Sequence, residues 1–199
     1  GVPVSVAIRR KTDATALVEE AMIAANEAVA RYLRDAGIPS IFRVHEPPSS
    51  GDLAELVPIL QEFGYDRHVS LANFKAGDPF AIQQVLSFAR GRSEEFLVSS
   101  LVVRAMKRAV YVDSCEGHFG LASTAYTHFT SPIRRYPDLM VHRMLKVALF
   151  GRTGATSGLE SALARIADHA STAERTAEEA ARESQELKLL ELLEQRIGD

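Results

Sequence analysis

The 199-residue sequence contains one cysteine, so it forms no internal disulfide, and that usage fits a reducing compartment. Cys115 itself reads as a small buried hydrophobe rather than a nucleophile. No apolar run is long enough to span a bilayer and no secretory signal opens the chain. A cytoplasmic location with no membrane partner is therefore expected. The net charge of −3 does not mark a nucleic-acid binder. The phosphate-cradling glycine patterns of a P-loop or a Rossmann turn are missing, and so is a serine elbow. Gly117-His118-Phe119-Gly120 has two glycines but neither a lysine nor a following helix start, and makes a poor phosphate cradle. The six histidines, His45, His68, His118, His128, His142 and His169, form no HExxH or similar pair. A lone histidine usually serves as a hydrogen-bonded scaffold residue. No compact group of carboxylates suits magnesium. Glu19 and Glu20 point about 100° apart on a helix, and Glu178 with Glu179 reads as a solvated face. There is no internal repeat and no low-complexity segment.

What is present is ordinary globular composition, 46% hydrophobic and 25% charged, enough for one core or a core with a helical appendage. The charge is unevenly spread. From Arg90 to Arg152 ten Lys and Arg stand against five Asp and Glu; from Thr153 to Asp199 five stand against ten. A basic middle beside an acidic tail points to local anion binding, although chance clustering explains the charges alone equally well.

Val2, Val4, Val6 and Ile8 alternate as in a strand. The chain begins with glycine and enters this run at once, so it is expected to start inside a larger protein. Thr12 and Asp13 cap a helix that ends at Gly37, its apolar line being Val18, Met22, Ala25, Val29, Tyr32 and Leu33. Ile41–His45 reads as a short strand, ended by Pro47 and Pro48. A helix follows over Ser50–Phe63, closed by Gly64, then a loop over Asp66–Gly77. Asp78-Pro79 starts a helix to about Ala89, stopped by Gly91. Ser93 caps the next, with Leu97, Leu101, Ala105 and Met106 inward. Val110–Val112 reads as a strand and Gly117–Thr130 as strand and loop. A helix is expected over Pro132–Phe150 with Tyr136, Met140, Met144 and Val147 on its core face. Gly151–Gly158 reads as a linker and Leu159–Asp168 as helix. Ser171 with Glu174 makes a capping box for a charged helix to about Arg196. The whole suggests a mixed α/β (α+β) domain with a helical C-terminal end.

The segment YTHFTSPIRRYPDLM, Tyr126–Met140, raises a specific problem. Ser131-Pro132 is a strong helix start. Yet Arg134 and Arg135 then fall in the first turn, where the helix dipole disfavours cations by roughly 0.3–1 kcal/mol each. Pairing of Arg134 with Asp138 across one turn is one answer, worth only about 0.3–0.5 kcal/mol when exposed, and it leaves Arg135 unexplained. A phosphate seated at the helix start is the other. It would take backbone N–H groups and guanidinium bonds and cancel the repulsion. Physics alone leaves both open.

AYTHFTSPIRRYPDLMVHR, Ala125–Arg143, closely resembles a hallmark segment of the RNB family of exoribonucleases. LVEEAMIAAN (Leu17–Asn26), IPSIFRVHEPP (Ile38–Pro48), MKRAVY (Met106–Tyr111) and GHFGLA (Gly117–Ala122) agree in order. The resemblance runs from about Thr12 to Arg196 and is thinnest across Asp66–Glu95 and the final helices. It implies a processive hydrolase that degrades single-stranded RNA from the 3′ end to nucleoside monophosphates, using magnesium. It implies that Arg134 contacts the phosphate at the cleavage site, that Arg135 holds a neighbouring phosphate, and that Glu20 accepts from the terminal ribose. Ser131, Tyr126 and His128 are carried as substrate-binding positions of the same segment. The family's metal-binding aspartates and base-stacking tyrosine belong to an upstream segment with no counterpart here. The chain, residues 1–199 with 153–199 as its helical end, is thus expected to be the C-terminal part of an RNB catalytic domain, inactive alone. Its expected partners are the upstream half of that domain, flanking RNA-binding barrels and single-stranded RNA. A non-catalytic RNA-binding module derived from such a nuclease, or a structural helical domain with internally paired arginines, are the rival readings.

Overall fold

The computed structural model describes residues 3–7, 11–151 and 157–194. The chain forms helices α1 (Asp13–Asp35), α2 (Ser50–Glu62), α3 (Leu71–Lys75), α4 (Pro79–Ala89), α5 (Glu95–Ala105), α6 (Tyr136–Phe150), α7 (Ser157–Glu160) and α8 (Leu163–Glu194). Two three-residue strands, β1 (Phe42–Val44) and β2 (Val110–Val112), pair in one small sheet. The fold is mostly helical with this two-stranded sheet.

Two compact units share the chain. One holds the described residues of Gly1–Phe42, Tyr111–Ser114 and Thr127–Asp199; the other is Arg43–Val110 with Cys115–Tyr126. In the second unit, α2, α3, α4 and α5 enclose a core in which Leu53, Tyr65, Phe74 and Val85 are fully buried. Each large apolar side chain so placed contributes roughly 1.5–3 kcal/mol. The helix limits follow local chemistry. Ser49, Ser70 and Asp78 accept from backbone N–H groups at the starts of α2, α3 and α4. Gly64 and Gly91 take the left-handed backbone that ends a helix. The segment read as a loop over Asp66–Gly77 carries a 3-10 turn, Tyr65–Arg67, and α3. Ser93 does not cap α5; Glu94 holds that position, and the inward residues are Val98, Val102 and Ala105 while Leu97 is exposed. The Gly117–Thr130 stretch forms a 3-10 turn at Phe119–Leu121 and isolated bridges from His118 to His45 and Ser123.

In the first unit α6 packs on α8 and α1, around Ile41, Tyr111, Met140, Leu163 and Ala167. Thr12 caps α1 reciprocally with Thr15, and Gly37 lies just beyond its end. The buried line of α1 is Asn26, Ala30 and Leu33; Val18, Met22 and Tyr32 are exposed. Residues 3–7 form no strand, and Val4 and Val6 face solvent. Val2 and Ile8 lie outside the described residues, as do residues 152–156 of the expected linker and Arg196.

Two helix starts differ from the sequence reading. α6 begins at Tyr136, not Pro132, and residues 132–134 form a turn ahead of it. Tyr136 is exposed, while Pro137, Asp138, Met140, Val141 and Met144 are buried. Ser171 caps nothing, because α8 runs unbroken through it. Its hydroxyl is buried and accepts from the Tyr111 N–H at 2.8 Å.

Candidate functional site

The segment ahead of α6 is pinned from three sides. Thr127 donates its hydroxyl to the Ile41 carbonyl at 2.6 Å. The Phe129 N–H donates to the buried Asn26 of α1 at 2.9 Å, and the Phe129 carbonyl accepts from His142 of α6 at the same distance. The His142 ring also stacks on Phe129, 4.1 Å between centroids. His128 is bonded through Nδ1 to the Tyr111 hydroxyl at 2.8 Å.

The next residues turn rather than coil. The Ser131 carbonyl accepts from the N–H groups of Arg134 and Arg135, at 3.3 and 3.1 Å. Arg135, in extended backbone, is the N-cap of α6, and Pro137 occupies its first turn, where a missing N–H costs nothing. Asp138 holds the turn to the helix. Its side chain is 0% exposed, and Oδ2 accepts from the Ser131 N–H and from Arg135 Nη2, each at 2.8 Å. A carboxylate in the first turn complements the dipole, so the cation problem posed by the sequence is met partly by the protein itself. The pair is Arg135–Asp138, not the Arg134–Asp138 pair considered from spacing. Asp138 Oδ1 and Arg135 Nε are buried and lack hydrogen-bond partners among the described residues.

Arg134 stands apart. It is exposed, lies ahead of the helix, and has no ion pair with any described residue. It lines a cavity of about 1000 Å³ together with Arg135, Tyr136, Pro137 and Tyr111. The facing wall is one side of α8. Along that side Arg165, Ile166 and His169 come first, and Glu174 and Glu178 follow among alanines 170, 173, 177 and 181. Spacings of three and four put these residues on one helix face.

The structure therefore brings Arg134 and Arg135 to one wall, with Ser131 supplying the turn and His128 touching it through Tyr111. Glu20 is exposed on α1 and does not line this cavity. Tyr126 is buried in the other unit, its ring 5.2 Å from His118. Sequence reasoning missed Arg165 and His169, although their i, i+4 spacing was visible. Glu178 was read as a wet face, and it lines the cavity. Asp138 was weighed only as a partner for Arg134.

In the second unit the histidines are scaffold. His45 Nδ1 accepts from the Gly120 N–H at 2.9 Å, which leaves Nε2–H to donate to the Lys107 carbonyl at 2.6 Å. Burial, then His45 and Arg43 nearby, push the His118 imidazole down to about 4. Among the described residues no group of three or more His, Cys, Asp or Glu could hold a metal ion. The described residues do not fit a magnesium site. No helix of the described residues is long and apolar enough to cross a membrane.

Comparison with known proteins gives this geometry a family. The RNB domain model matches residues 1–151. The chain is 42% identical over 183 residues to ribonuclease R of Aquifex aeolicus, covering 92% of the chain and 25% of that protein. It is 36% identical over 202 residues to ribonuclease R 1 of Lactococcus lactis, covering the whole chain and 24% of that protein. The chain thus spans about a quarter of the length of these curated relatives. Among solved structures, Mycoplasma genitalium RNase R in complex with ribose-methylated single-stranded RNA matches all of the chain and 31% of its own, with a TM-score of 0.85 at 28% identity. With the RNB domain model matching three quarters of the sequence, this chain belongs to the RNB family.

Proposed function

We propose that this chain is the arginine-bearing part of the catalytic domain of a processive 3′–5′ exoribonuclease that hydrolyses single-stranded RNA to nucleoside monophosphates. The observation that carries the reading is Arg134: an exposed guanidinium, unpaired among the described residues, on the wall of a large cavity just ahead of a helix start. A cation aimed there stabilises charge that develops on a phosphate as it is cut. Arg135 holds a neighbouring phosphate with the N–H groups that Asp138 leaves unengaged. Glu20 accepts from a ribose hydroxyl. Ser131, Tyr126 and His128 belong to the RNA-binding segment, Ser131 through its turn and His128 beside Tyr111. Magnesium sits on aspartates of a preceding segment of the domain, and the chain without them does not cleave. RNA-binding barrels of the same protein, and a place in cytoplasmic RNA turnover, complete the reading.

The test uses the full-length protein. Arg134→Ala lowers the rate of mononucleotide release at saturating single-stranded RNA by about 10²–10³, with under tenfold loss of RNA affinity. Turnover and affinity falling in proportion would make Arg134 a simple anchor and defeat the catalytic assignment.

A further inference from the structure

The α8 side of the cavity carries an arginine and a histidine to which the family reading gives no role. Arg165 and His169 lie one helical turn apart on α8, both exposed, both lining the cavity that Arg134 lines. Neither has an ion pair with a described residue. Arg135, by contrast, has its carboxylate built in at 2.8 Å. A guanidinium and an imidazole left free on the same face of a helix make a donor set for an oxyanion. Beyond Ile166 the small side chains of Ala170, Ala173 and Ala177 line the cavity, which leaves room for a chain to lie against α8.

We propose that Arg165 and His169 form a second phosphate contact, which holds an RNA phosphodiester other than the one at Arg134. The contact rests on the exoribonuclease reading and adds to it a binding point on α8. The two arginine positions divide the work. Arg134 acts on the phosphate that reacts, whereas Arg165 and His169 act equally on ground and transition states and so set affinity.

The experiment measures binding of a 2′-O-methylated single-stranded oligonucleotide to the full-length protein by fluorescence anisotropy across a salt series, beside turnover at saturating RNA. Arg165→Ala with His169→Ala is expected to weaken binding roughly tenfold at low salt. It should also flatten the log–log salt dependence by about 0.7–1.4, as loss of one or two phosphate contacts to a single strand requires. Turnover at saturation stays within about threefold of the unmodified protein. Arg165→Lys, which keeps the charge, retains the salt slope. Unchanged affinity and slope overturn the proposal. Unchanged binding with a lowered melting temperature also overturns it and makes this face a protein-packing surface. If Arg134→Ala leaves turnover intact, the catalytic reading fails instead, whatever the α8 variants do.

Discussion

Removing the Asp138 carboxylate should be among the most damaging single changes in this chain. Asp138→Ala leaves two groups stranded. The Arg135 guanidinium, only 18% exposed, loses its countercharge, and the Ser131 N–H loses its acceptor at 2.8 Å. Breaking a buried pair from one side costs about 3–5 kcal/mol. An orphaned buried N–H costs about 1–3 kcal/mol. Because both bonds end on the same oxygen these costs overlap, and about 4 kcal/mol is expected in total. Against a stability of about 5–15 kcal/mol this is a large fraction. For a chain of this size it lowers the melting temperature by about 8–16 °C. Urea unfolding followed by circular dichroism gives the free energy directly. The second arm replaces Arg135 by Met in the Asp138→Ala background. Removing the stranded cation should return a good part of the loss, so that the two changes couple by at least about 1 kcal/mol. A single-variant loss below about 1 kcal/mol, or strict additivity in the double variant, refutes the argument that Asp138 is the buried pin of the SPIRR turn.

Two further outcomes follow from other sites. Ser171→Ala should cost about 1–3 kcal/mol, because the buried Tyr111 N–H loses the hydroxyl it donates to; a change under about 0.5 kcal/mol in the same urea assay would return Ser171 to the role of a dispensable helix residue. The depressed His118 imidazole makes the second unit acid-sensitive. An unfolded imidazole titrates near 6.5 and the folded one near 4, so below pH 6.5 the unfolded chain takes up the proton first. The stabilisation is complete above about pH 6.5, drains away as pH falls towards 4, and amounts to roughly 3 kcal/mol. Unfolding midpoints at pH 7.5 and 5 should differ less in His118→Gln than in the unmodified chain, and an identical pH dependence in both contradicts the assignment.

Much of the second unit was legible because its boundaries are written in side chains that act locally. Asp78-Pro79 and Gly91 frame α4 whatever surrounds them, and Val110–Val112 was read to the residue. The start of α6 was misread for an equally local reason, since Ser131-Pro132 imitates a cap. The correcting signal was present in Pro137. A helix begun at Pro132 would need the N–H of residue 137 for the carbonyl of residue 133, and proline has none. Ser171-Glu174 likewise imitates a capping box, but no glycine or proline precedes it to stop the helix. The buried face of α1 turns on Asn26, which is inside because the Phe129 N–H bonds to it, 103 residues away. No pattern within α1 carries that information. The arginine pair stood out at once, whereas the α8 wall did not. Its residues gain meaning only where the fold sets them across from Arg134, and in sequence they sit inside an acidic, ordinary-looking helix.

The two units also differ in when they can be completed as the chain is made. The core of the second unit draws on Leu53 through Ala105, neighbours in sequence, so a ribosome that has reached Tyr126 has delivered everything that core needs. The first unit is the reverse. Asn26 must wait for Phe129, and Tyr111 must wait for Ser171, so this unit stays incomplete until α8 emerges. A stall or truncation shortly after Gly151 would therefore release a chain with one finished core and one open face.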